Sequence, residues 1–176
     1  MKYNFDEIID RTGTNAVKLE AGTKVNPYLP EHHIPLWVAD MDFACAPEIL
    51  RAMQTRLDRR ILGYTNLSDA CKTSACRWME RRFDWKTEPE QVVFSAGIVT
   101  ALFAAVARLT KPGDEVCFLT PAYHPFDDAV VKQGRIPIYS RMICQDGGWT
   151  IDFADLSAKL SRPKRAMFFH CNPHNP

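Results

Sequence analysis

Apolar and polar residues are arranged differently in the two parts of this chain, and the change falls near Pro47. The first forty-odd residues hold no sustained period. Pro27, Pro30 and Pro35 and clusters of polar residues break them up, which predicts an extended arm that packs on another surface. Beyond Pro47, Ile49, Leu50, Met53 and Leu57 recur at helical spacing, and Pro47 itself suits a first helical turn. A second helix is predicted over 69–83, with Trp78, Met79 and Phe83 on its apolar side and arginines outside.

From Gln91 onward the rhythm becomes strand, helix, strand, helix. Val92-Val93-Phe94 reads as a short buried strand. Residues 98–109 read as a helix, apolar nearly all round and therefore expected to be buried, which stops at Lys111-Pro112-Gly113. Strands are predicted over 115–119, 136–139 and 166–169. Helices are predicted over 124–133 and from an Asp152 cap to Leu160, and Gly147-Gly148 reads as a turn. Strands alternating with helices predict an α/β fold whose parallel sheet is covered on both faces.

Composition narrows the setting. With 22 Lys+Arg against 21 Asp+Glu the net charge is +1, so neither nucleic acid nor an anionic membrane is an expected partner. The longest nearly apolar stretch, 96–107, is far shorter than the roughly 20 residues a membrane span needs. The opening MKYNFDEIID carries acids where a signal peptide has its apolar core, so a cytoplasmic location is expected. The six cysteines form no CxxC pair. His170-Cys171-x-x-His174 lacks a second pair at ligand spacing, so no metal site is expected.

In open α/β sheets, ligands bind beyond the carboxyl ends of the strands. Three loops qualify. Ser95-Ala96-Gly97-Ile98-Val99 joins a strand to a helix whose first turn has no acid, which suits a phosphate and suits a plain tight turn equally. It is not GxGxxG, a Walker A loop or GxSxG. Thr120-Pro121-Ala122-Tyr123 offers a flat ring, although a lone Tyr there more often serves packing. Asn172 to Pro176 offers the Asn175 carboxamide, although Asn-Pro by itself marks a turn. A chain that stops immediately after a buried-looking strand is also expected to continue into more structure.

Taken in order, VFSAGIVTAL, FLTPAY and FFHCNPHNP resemble the fold-type-I pyridoxal-phosphate enzymes of the class I/II aminotransferase superfamily. WVADMDFACAPEI at 37–49, LGYTNL at 62–67 and the opening NFDEIIDRTGTNAVKLE are similar to its carbon–sulfur β-lyase branch, the cystathionine β-lyases of the MalY/PatB type. The resemblance implies the aspartate aminotransferase fold. Residues 1–48 would be an N-terminal arm with a small-domain segment, and 49–176 the first part of a cofactor-binding large domain with an incomplete sheet. It implies pyridoxal 5'-phosphate as cofactor, with Gly97, Ile98 and Val99 at its phosphate, Tyr123 stacked on its ring and Asn175 bonded to its phenolic oxygen. Tyr64 would reach the phosphate held by a second copy in a homodimer. Asp40, Met41 and Asp42 would lie at the substrate entrance, although a capping or turn role before Pro47 is open to both aspartates. The implied reaction is β-elimination from a sulfur-containing amino acid to thiol, pyruvate and ammonia, with an aminotransferase or a non-catalytic remnant as alternatives. The family's catalytic lysine, its pyridine-pairing aspartate and its carboxylate-binding arginine follow the NPxNP turn. No catalytic residue is therefore expected within these 176 residues, which alone should be inactive, with apolar surface left exposed. Lys159 reads as a solvated surface residue.

Overall fold

The computed structural model describes residues 3–30 and 32–175, and it divides into two compact units, Met1–Leu67 and Ser68–Pro176. The first unit is mostly irregular, as its prolines predict. It nonetheless contains two single-turn helices, Val17–Glu20 (α1) and Gly22–Val25 (α2), before the expected helix Pro47–Leu57 (α3). Ile49, Leu50, Met53 and Leu57 share a face of α3 and are about half exposed.

The second unit opens with Asp69–Phe83 (α4). Its start is fixed by Ser68, whose Oγ accepts from the Cys71 N–H at 3.3 Å, and its end by Asp84 in the left-handed region at φ 51°. Trp78 and Phe83 stay exposed, and the Arg81 guanidinium lies 5.4 Å from the Trp78 ring centre. No strand forms at 92–94, contrary to expectation. A strand exists through its ladder of cross-strand hydrogen bonds, and no described strand pairs with this segment, which leaves Val93 89% exposed.

Ile98–Leu109 (α5) has the expected bounds but not the expected burial. Val106 is buried and Leu102 and Phe103 pack beside it, whereas Ile98 and Leu109 are exposed. Its C-cap, Thr110, is held from a distance. Arg135 Nη2 donates to Thr110 O at 2.7 Å and Nε to Thr110 Oγ1 at 2.9 Å.

The chain then runs through Glu115–Thr120 (β1), Pro125–Val131 (α6) and Ile136–Arg141 (β2). Next come Ile143–Gln145 (β3) and Gly148–Thr150 (β4), then Phe153–Leu160 (α7) and Arg165–Phe169 (β5). β1 is the middle strand of a parallel sheet ordered β2-β1-β5. Its side chains alternate between two cores. Val116 and Phe118 pack with Val106, Phe126, Ala129, Val130 and Phe169 on one face, and Cys117 and Leu119 pack with Leu156 of α7 on the other. The sheet is thus covered on both sides, as the strand–helix alternation predicts.

Two local expectations need correction. Instead of a simple turn at Gly147-Gly148, β3 and β4 form an antiparallel hairpin around Asp146-Gly147, both at positive φ (50° and 75°). Lys159 is not a freely solvated lysine. Its Nζ bonds Asp155 at 2.7 Å and the Tyr139 carbonyl at 2.6 Å, tying α7 to β2.

Candidate functional site

Because the three strands are parallel, their carboxyl ends share one edge, and the loops that leave β1 and β5 emerge there together. Two hydrogen bonds join these loops. The Tyr123 N–H donates to Asn175 O at 3.2 Å, and His174 Nε2 lies 2.7 Å from Pro121 O. Both loops also contain a cis peptide bond, Thr120–Pro121 and Asn172–Pro173. Tyr123 is 40% exposed, with one ring edge against Phe126 at 6.4 Å between centres. The Asn175 side chain is exposed and makes no hydrogen bond among the described residues.

Helix direction brings the third loop to the same edge. α5 ends where Gly113 N–H donates to Gly134 O and Arg135 caps Thr110, beside the amino ends of β1 and β2. Twelve helical residues span about 18 Å, roughly the length of β1, so the start of α5 lies toward the carboxyl edge. There Gly97 is the N-cap at φ 151°, ψ 157°, a backbone conformation essentially restricted to glycine. A Cβ at Gly97 would meet nothing within 4 Å, so the requirement is conformational rather than steric. The Gly97 carbonyl begins the helix by accepting from Ala101 N–H at 3.1 Å. The cap has no side chain to bond the free amides, and the first turn has no acid. The amides of Ile98 and Val99 therefore face outward with the positive end of the helix dipole, an arrangement suited to an anion.

The remaining predicted residues lie in the first unit. Tyr64 is fully exposed and Met41 largely so. Asp40 and Asp42 cap nothing, because the N-cap of α3 is Ala46 with no side-chain cap bond. Instead Asp40 pairs with Arg11 at 2.8 Å and Asp42 with Lys18 Nζ at 2.7 Å. The hydrogen bond from Arg11 holds the Asp40 carboxyl below its ordinary range. Lys18 is only 5% exposed, and its Nζ also donates to Asp40 O at 2.7 Å, while its own carbonyl accepts from Trp37 Nε1 at 3.1 Å. Residues 40–42 are thus clamped at both ends by cations from the arm. Local pattern reading misses this clamp because its partners are more than twenty residues apart, as it misses the His174–Pro121 bond across 53 residues.

Among the described residues no three His, Cys, Asp or Glu side chains gather as a metal site, and no helix is long and apolar enough to cross a membrane.

Comparison with known proteins adds a lineage to this geometry. The model of the family described as aminotransferase class I and II matches residues 31–176. The chain is 43% identical over 173 residues to cystathionine beta-lyase PatB of Bacillus subtilis, covering 98% of this chain and 44% of that protein. It is 31% identical over 147 residues to cystathionine beta-lyase of Corynebacterium glutamicum, covering 84% and 38%. Cystalysin from Treponema denticola, solved with pyridoxal 5'-phosphate, superimposes with a TM-score of 0.91 at 35% identity, covering all of this chain and 45% of that one. The PLP-bound C–S lyase from Staphylococcus hominis superimposes at 0.86 with 37% identity, covering 99% and 43%. The chain spans under half the length of these relatives.

Proposed function

Because this chain belongs to the class I and II aminotransferase family, we propose that it supplies one wall of the cofactor site of a pyridoxal-phosphate-dependent carbon–sulfur β-lyase. The whole protein would cleave a sulfur-containing amino acid such as cystathionine to a thiol, pyruvate and ammonia. The observation that carries the lyase reading over an aminotransferase is the 43% identity to a cystathionine beta-lyase along nearly the whole chain.

The residues on the shared sheet edge fit this cofactor. The outward amides at Gly97, Ile98 and Val99 suit its phosphate, the partly open face of Tyr123 suits its flat ring, and the Asn175 carboxamide, without a partner among the described residues, suits its phenolic oxygen. When bound, pyridoxal phosphate supplies the electron sink that allows the α-proton to leave and the β-carbon–sulfur bond to break. What this chain does is bind and orient. The α5 amides neutralise phosphate charge without a cation, Tyr123 fixes the ring plane and Asn175 fixes rotation within that plane. Residues 40–42, with both carboxylates already neutralised, would border the substrate entrance without offering a free anion to the substrate's amine. Fully exposed Tyr64 would serve the site of a second copy in a homodimer, and the half-exposed apolar face of α3 is surface that the whole assembly would cover. We assign residues 1–48 to the arm and small-domain segment, 49–176 to the start of the large domain, and the protein to the cytoplasm.

The test is pyruvate release from L-cystathionine by the whole protein loaded with cofactor. Equimolar pyruvate and ammonia are expected. Amino transfer to 2-oxoglutarate without ammonia would replace the lyase reading by the aminotransferase one. Tyr123→Ala should weaken cofactor binding about tenfold, the loss of roughly 1.4 kcal/mol of stacking. Unchanged occupancy would remove Tyr123 from the site.

A further inference from the structure

The loops after β1 and β5 do not simply lie side by side. His174 Nε2 is 2.7 Å from Pro121 O, and a carbonyl only accepts, so Nε2 carries the proton and donates. In the neutral ring that leaves Nδ1 as a lone pair, and Nδ1 is buried with no hydrogen-bond partner among the described residues. The side chain is therefore committed to one contact, across 53 residues of sequence, at some cost in unsatisfied polarity. A second bond, Tyr123 N–H to Asn175 O at 3.2 Å, lies one residue beyond His174 in one loop and two beyond Pro121 in the other. Cys171 and Ala122 pack against the same buried cluster and anchor the bases of the two loops.

We propose that His174 is a positioning residue. Its bond to Pro121 latches the two loops so that the Tyr123 ring and the Asn175 carboxamide are presented as one rigid pair. Neither residue is held by its own side-chain hydrogen bonds among the described residues, so their relative placement depends on the backbone that His174 pins. This deepens the proposed cofactor site and rests on its assignment of Tyr123 and Asn175.

The test compares His174→Phe with His174→Gln in the whole protein. Phenylalanine fills the ring's space, removes the donor and also removes the orphaned lone pair, and Pro121 is an exposed residue whose carbonyl water can reach in the variant, so this variant is expected to fold. Glutamine returns an amide donor at a similar reach. Exchange of the Tyr123 amide with deuterium, followed at single-residue resolution without cofactor, should quicken roughly fivefold in His174→Phe. The Phe118 amide should keep its rate, and His174→Gln should return Tyr123 close to wild type. The dissociation constant for pyridoxal phosphate, read by fluorescence titration, should rise about fivefold in the Phe variant and recover in the Gln variant. Wild-type exchange in His174→Phe, or equally fast exchange in both variants, overturns the latch. Fast, Gln-rescued exchange in a protein that does not bind the cofactor upholds the latch and overturns the cofactor reading alone.

Discussion

The two units of this chain are held by different forces. In Ser68–Pro176, β1 places apolar side chains alternately into two cores, and Phe118, 2% exposed, touches Phe126, Tyr139 and Phe169. In Met1–Leu67 the buried side chains among the described residues are Ala16 and Lys18, and the ties include the Arg11–Asp40 and Lys18–Asp42 pairs and an edge-on contact of Phe5 with Phe43. Ile8, Tyr28, Ile34 and Leu36 of this unit are almost wholly exposed. The contrast shows that apolar content does not make a core. A core needs a period that brings apolar residues onto one face, and a second face to receive them.

The largest test of this contrast is Phe118→Ala, expected to cost about 3–5 kcal/mol, against Ile8→Ala, expected within about 0.5 kcal/mol of wild type. Urea denaturation measures both, and equal losses would erase the distinction. Next is Lys18→Met, which removes the cation that ties residues 40–42 to α1 while retaining most of the buried stem. A loss of about 1–2 kcal/mol is expected, between the limits for exposed and buried pairs. A neutral result would mean that the clamp contributes shape and no stability.

The smallest effect concerns acid. In the second unit Arg162 holds the Glu115 carboxyl through bonds of 2.6 and 2.7 Å and pushes its pKa below the ordinary 4.5. A carboxyl whose pKa is lowered by folding stabilises the fold fully above its ordinary value, and that stabilisation is lost as pH falls from there through the lowered, folded value. Glu115→Gln should therefore lower the urea midpoint slightly at pH 7, by a difference that shrinks as pH falls below 4.5. An undiminished acid slope in the variant would assign the acid sensitivity elsewhere, with Asp40 beside Arg11 the equivalent group in the first unit.

Legibility in the sequence follows the same divide. The bounds of α4 and α5 and the positions of β1, β2 and β5 can be read because caps, breakers and apolar periods are local. The β3–β4 hairpin also had a local signal, Asp146-Gly147, which reading Gly147-Gly148 as the turn obscured. The segment 92–94 looked like a strand because Val-Val-Phe favours one, but pairing decides, and pairing is not local. Of the candidate site, Gly97, Tyr123 and Asn175 were readable from motif order. The Lys18–Asp42 pair and the His174–Pro121 bond were not, since each joins residues that no local window contains together.

The parallel sheet also divides labour over evolutionary time. Residues that secure folding lie along the strands, and the residues proposed to meet the cofactor lie in loops at one rim. Drift in those loops can retune what the protein accepts while the hydrophobic layers stay as they are. A lineage built this way can diversify its chemistry without having to reinvent its fold.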